Sequence, residues 1–319
     1  MEIVLRMKVV SSTLAVPSFG SEHHQFEIQL ARLEAIYQER GSIDCIFVGD
    51  SLTWLDLDPL SFSDGYFEES GKRMECFNFG VASLPAVGVS VITGILVDQY
   101  HPQLIVYGLH ANSLVVGQDS PDARVVLDTP WVRFKSGDFS FSGWFYANSH
   151  LVRYFKTLNL LIRLDRAGLE NELGDSLEAR LGFDAKTGQR IDLDVPPSRS
   201  DPADIPGFEK YYEYQVYPEN MTGILDIAKM TDQGTTVIMV MMPVHRSFYA
   251  FFKNGEQDYS QIANAIEEAI NDTNTTLLRS NDEILIPEDG WWDYSHLNIT
   301  GAQLFSHWLG GEVAKARLD

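Results

Sequence analysis

Apolar runs alternate with amphipathic segments along this chain, and that alternation restricts the fold more than any single residue does. Ile43 to Val48, Met74 to Phe79, Leu104 to Tyr107, Thr235 to Met242 and the shorter Glu283 to Ile286 read as strands. Runs this continuously apolar belong to strands covered on both faces, as in parallel sheets. Between and around them lie helical patterns. Ser21 to Arg40 places Phe26, Leu30, Leu33 and Tyr37 at spacings of three and four, and Leu84 to Tyr100 does the same with Val87, Val91 and Ile95 before Pro102 stops it. Gln257 to Leu278 carries Ile262, Ile266, Ala269 and Ile270, and Thr300 to Arg317 carries Phe305, Trp308 and Leu309 behind a Thr300/Gln303 capping box. The pattern predicts a three-layer α/β/α fold, with helices on both faces of a five-stranded parallel, flavodoxin-like sheet.

About a hundred residues, from Leu114 to Pro218, interrupt this rhythm where a loop and a helix would suffice. The expectation is one domain over residues 1–319 with a large insertion after the third strand, at about 114–218. Its first part is aromatic (Trp131, Phe134, Phe139, Phe141, Trp144, Phe145, Tyr146) and leads into a helix near Ser149 to Arg166. Its second part, Gly182 to Gly207, is dense in Asp, Pro, Gly and Ser and reads as irregular.

With 24 basic against 45 acidic residues the formal charge is −21, which repels phosphate backbones and argues against nucleic-acid or anionic-lipid partners. No run approaches the roughly 18 apolar residues of a membrane span, and Met1 to Val16 is too interrupted for a signal-peptide core. A soluble chain is expected, cytoplasmic if this start is the native one and of the cell envelope if a leader or anchor is missing. Cys45 and Cys76, both in predicted strands, read as small buried thiols, and two cysteines exclude a disulfide scaffold. His23, His24 and His307 sit in helical patterns, and no spacing suggests a metal site. Asn220, Asn271, Asn274 and Asn298 are sequon matches.

In open parallel sheets ligands bind beyond the carboxyl ends of the strands. Ser51 follows the first strand, Gly80 the second and Asn112 the third. His245 and Arg246 follow the fourth, and Asp293 with His296 follows the fifth. A serine hydroxyl becomes a useful nucleophile when an imidazole takes its proton and a carboxylate fixes the imidazole's tautomer. Asp293 and His296, three residues apart, would share one side of a helical turn. His245 and Arg246 could contact a polar or anionic substrate, or serve as a cap and a surface charge.

Gly49-Asp50-Ser51-Leu52, Asn78-Phe79-Gly80, Gly108 with Asn112, and Asp293-Tyr294-Ser295-His296 together resemble the four blocks of the SGNH, or GDSL, hydrolases. The resemblance covers the sheet elements and not the insertion. It implies Ser51 as nucleophile, His296 as base and Asp293 as its partner. The implied oxyanion hole consists of the Ser51 and Gly80 backbone N–H groups and the Asn112 side chain. The third block departs from the family's Gly-x-Asn-Asp: Asn112 stands two places late, Ser113 replaces the aspartate, and His110 occupies the literal position, where a neutral imidazole could also donate. The implied activity is a cofactor-free serine esterase acting on a small acyl ester. Loosened third blocks are also expected in SGNH-like proteins that assist acylation of cell-surface polymers. An O-acyltransferase acting on a glycan therefore stays open, as does a binding protein that kept the fold.

Overall fold

A computed structural model describes residues 18–155, 177–190, 193 and 209–318 of the 319-residue chain. Strands β1 (Cys45–Gly49), β2 (Cys76–Gly80), β3 (Leu104–Leu109), β4 (Thr236–Met241) and β5 (Thr276–Arg279) form one sheet in the order β2-β1-β3-β4-β5, every neighbouring pair parallel. The first three are buried along their whole length, as their largely apolar sequences require, with Asn78 on β2 the polar exception.

Parallel neighbours need crossovers, and right-handed crossovers from β1 to either side send helices to opposite faces. Helices α1 (His24–Arg40), α2 (Ser51–Asp56), α3 (Pro59–Ser70), α4 (Ala86–Tyr100), α5 (Ala111–Val115), α6 (Pro218–Ala228), α7 (Glu256–Ile270) and α8 (Ile299–Leu318) are the ones that frame the sheet and its carboxyl edge. Helix α3 packs on α8, while α6 packs on α4 and α7, which gives the two outer layers. The expected α/β architecture is thus present. Among the described residues no helix is long and apolar enough to cross a membrane.

The last strand differs from expectation. It is Thr276–Arg279, not Glu283 to Ile286, and α7 ends at Ile270 rather than continuing to Leu278. β5, one of the two edge strands, has no fully buried residue, so it lacks the apolar signature of the other strands. Leu285, within the run read as a strand, is 89% exposed. Helix α8 also begins one residue early, because Asn298 Oδ1 accepts the backbone N–H groups of Thr300 and Gly301 and replaces the Thr300/Gln303 box. The predicted helix from Ser149 to Arg166 lies outside the described residues beyond residue 155. Most of Gly182 to Gly207 and the whole of Met1 to Val16 also lie outside them.

Three glycines stand level across the carboxyl ends of β2, β1 and β3, Gly80 opposite Gly49 and Gly49 opposite Gly108. Helix α2 rests on this row. A Cβ on Gly49 or Gly108 would come within 2.0 or 2.2 Å of the Thr53 hydroxyl, and one on Gly80 within 2.3 Å of the Trp54 backbone nitrogen. Asn78, fully buried on β2, pulls the helix down further by donating from Nδ2 to the carbonyls of Thr53 and Leu57 at 2.6 and 2.7 Å.

At the other end of the same strands Cys45 and Cys76 are joined in a disulfide, not held as separate thiols. Parallel register sets them directly opposite each other with Cα atoms 4.5 Å apart, within bridging distance.

Candidate active site

The turn after β1 places Ser51 at the first position of α2, where Asp50 caps the helix by accepting the Leu52 N–H at 3.0 Å. Residues at the start of a helix lack intrahelical acceptors for their N–H groups, so the Ser51 backbone is left with a donor at the sheet edge. Beyond β5 the chain closes into a loop between Trp291 and Leu297, which form an antiparallel bridge. Asp293 and His296 therefore lie in a tight loop and not on a helical turn. The Asp293 carboxylate shapes that loop, accepting the Ser295 and His296 N–H groups, both at 2.9 Å.

The His296 imidazole spans the gap between loop and helix. Nδ1 lies 3.0 and 3.1 Å from the two Asp293 carboxylate oxygens, and Nε2 lies 3.0 Å from Ser51 Oγ. A carboxylate beside Nδ1 fixes the proton there, leaving Nε2 to accept from the serine hydroxyl. Burial raises the Asp293 carboxyl, but the hydrogen bond and charge of His296 and the two loop N–H groups outweigh it, and the net shift is downward. Asp293 is thus held as the anion that a proton-accepting imidazole requires.

Other residues weighed from the sequence have definite places. Asn112, on α5, donates from Nδ2 to Asp50 Oδ2 at 3.4 Å, so it adjoins the residue before Ser51. His110 caps α5 by accepting the Asn112 N–H on Nδ1 at 3.3 Å. Burial, with the charges of His296 and Lys210, pushes its imidazole down to about 3, and Nε2 has no hydrogen-bond partner. Gly80 directs its N–H at Asn78 Oδ1, 2.9 Å away. His245 caps the 3-10 turn Arg246–Phe251, pairs with Glu288 at 2.9 Å and donates its N–H to the Tyr294 carbonyl at 3.0 Å. It thereby straps the loop after β4 to the His296 loop. Arg246 is exposed and also pairs with Glu288. Asn220, one of the sequons, is fully buried and bonded to Leu114, Val116 and Val87, so it cannot present its side chain for modification. Among the described residues no group of three or more His, Cys, Asp or Glu could hold a metal ion.

Sequence reasoning passed over three neighbours of the site. Asp56, at the end of α2, is fully buried and accepts the Leu297 N–H at 2.9 Å. Lys210, from the short helical turn Glu209–Tyr212, donates to Asn112 Oδ1. Trp292 sets its ring edgewise to His296, centroids 5.9 Å apart, with Lys186 and Arg190 over its face. No local motif marks these residues: the contacts of Asp56 with Leu297, Lys210 with Asn112, and Lys186 and Arg190 with Trp292 all join distant parts of the chain.

The site can deliver a hydroxyl oxygen to an electrophilic carbon and store the released proton 3 Å away. No family model matches the chain, and no curated protein matches it. Among solved structures it is similar to one from Streptococcus pneumonia described as a "putative platelet activating factor", with 13% identity, 91% of each chain covered and a TM-score of 0.41. It is also similar to a gut microbial diltiazem-metabolizing enzyme, with 10% identity and a TM-score of 0.40, over 85% of this chain and 47% of that one.

Proposed function

We propose that the protein is a serine hydrolase that cleaves an acyl ester through an acyl-enzyme on Ser51. The observation that carries this reading is the continuous line from Ser51 Oγ through His296 to Asp293, with 3.0 Å at each step. Ser51 Oγ attacks the ester carbonyl as its proton passes to His296 Nε2, and Asp293 steadies the imidazolium. Collapse of the tetrahedral intermediate breaks the bond to the leaving alkoxide, which takes the proton from His296. Water then attacks the acyl-enzyme, gives a proton to His296, and releases the acid as Ser51 regains its hydrogen.

The Ser51 N–H and the Asn112 Nδ2 hydrogen not used by Asp50 are the donors favoured for the oxyanion. Losing one such donor typically costs about 3 kcal/mol of transition-state stabilisation. Gly80 is a weaker candidate than its motif suggests, since Asn78 accepts from its N–H.

Short p-nitrophenyl esters and a fluorophosphonate probe test the reading. Ester turnover and one-to-one labelling at Ser51 are expected, both lost in Ser51→Ala, with turnover reduced about 10⁴-fold in Asp293→Asn by analogy with triads that lose their tautomer control. Wild-type protein that neither turns over esters nor takes the probe would instead be a binding protein on the same fold. Product analysis with added sugar acceptors separates hydrolysis from acyl transfer.

A further inference from the structure

Asn112 is held from both sides. Its Nδ2 donates to Asp50 Oδ2 at 3.4 Å, and its Oδ1 accepts from the Lys210 ammonium. Asp50 in turn accepts the Leu52 N–H and so sets the first turn of α2, whose leading residue is Ser51. One polar chain thus runs from Lys210 through Asn112 and Asp50 to the nucleophile's helix. Its members come from three segments, and the contact between Lys210 and Asn112 spans 98 residues.

A carboxamide can turn over about its last bond, exchanging the oxygen and the nitrogen. Asp50 alone guards against this poorly, because burial raises its carboxyl and a protonated Asp50 could donate to a reversed amide oxygen. A cation at Oδ1 removes the ambiguity, since an ammonium has donors only and tolerates no N–H2 group opposite it. Lys210 is itself half-buried beside Asp50, Glu209 and Asp122, and burial pulls its ammonium down.

We propose that Lys210 is a positioning residue for the hydrolysis proposed above: it locks the Asn112 carboxamide with its amino group turned toward the oxyanion. The proposal rests on that reading of the site. Its effect should appear in kcat, because an oxyanion donor acts on the transition state and leaves ground-state binding nearly unchanged.

The test is a double-mutant cycle on p-nitrophenyl acetate with Lys210→Met and Asn112→Ala, with Tm recorded for each variant. K210M should lower kcat about tenfold, less than the loss of a whole oxyanion donor, with KM moving less than about threefold. In the N112A background the same substitution should cost less than about twofold, because nothing remains to be positioned. K210R should recover most of the activity, since it keeps a cation and donors. K210A takes the place of K210M if the methionine variant unfolds. An unchanged kcat in K210M, or a full tenfold loss persisting in N112A, overturns the positioning role while leaving the Ser51 reading intact. Absence of turnover and of phosphonate labelling in the wild type overturns the underlying reading instead.

Discussion

The Leu297 backbone N–H donates to Asp56 Oδ1 at 2.9 Å, tying the loop that carries His296 to the far end of the helix that begins with Ser51. The two contacts across this gap, Ser51 with His296 and Asp56 with Leu297, sit at opposite ends of α2. Burial, with the neighbouring charges of Asp293 and Asp50, raises the Asp56 carboxyl well above its ordinary value, against the pull of the Leu297 N–H. Its second oxygen has no partner. A group raised in the folded state favours folding most when protonated. That contribution is complete below the carboxyl's unfolded value and is lost as pH rises through the folded one. Asp56→Asn keeps an acceptor for Leu297 and removes the titration. Urea unfolding should find it at least as stable as wild type at pH 8, with the advantage shrinking toward pH 4. Asp56→Ala leaves the buried Leu297 N–H unpaired and should cost about 1–3 kcal/mol.

His110 gives the opposite pH dependence. Its imidazole is pushed down to about 3, by burial first and then by the charges of His296 and Lys210, so the unfolded chain takes up its proton first on acidification. Stability should therefore fall as pH drops from about 6.5 toward 3. Over the upper part of that window Asp293 is ionised in both states and contributes no slope. His23 is also lowered, mainly by burial, and contributes with the same sign. The difference between wild type and His110→Asn isolates His110. Urea midpoints at pH 7.5 and 5 should lie closer together in the variant, and equal slopes in the two proteins would refute the assignment.

The glycine row predicts an asymmetry between two substitutions. In Gly108→Ala the new methyl meets side chains, the Thr53 hydroxyl most closely and the flexible Met242 thioether at 3.0 Å, whereas in Gly80→Ala it meets the Thr53–Trp54 main chain. Each single variant should lose about 1–3 kcal/mol or more, from overpacking. Adding Thr53→Ala should relieve Gly108→Ala and leave Gly80→Ala unrelieved, because a backbone nitrogen cannot be trimmed. Thermal melts of the two double variants decide it.

The Cys45–Cys76 bond is tested by thiol titration in denaturant without reductant, where no free thiol is expected. Replacing both residues by alanine opens a loop of 31 residues. That should cost about 3 to 4 kcal/mol on chain-entropy grounds. Two titratable thiols would show that these half-cystines are unjoined.

Much of this molecule is readable from its residues where the signal is local. Central strands announce themselves by continuous apolar runs, and Ser51 stands at the turn that follows the first of them. The edge strand Thr276–Arg279 does not, since half-exposed positions admit polar side chains. The three-residue step from Asp293 to His296 was compatible with a helical turn, and only the bridge from Trp291 to Leu297 shows that a closed loop uses the same spacing. Cys45 and Cys76 could be paired only once strand register was known. Asp56 and Lys210 were invisible for a related reason: their partners lie 241 and 98 residues away, and a lone buried carboxylate or lysine leaves no periodic trace.

Gly80, Gly49 and Gly108 make a seat only while three strands keep step with one another. A one-residue slip of β1 against β3 would slide Tyr107 or Leu109 beneath the helix that begins with Ser51 and lift Ser51 away from His296. If Ser51 reacts as proposed, misaligned sheets would be chemically silent, and the fraction of molecules that take up a serine-directed probe would become a head-count of correctly threaded ones.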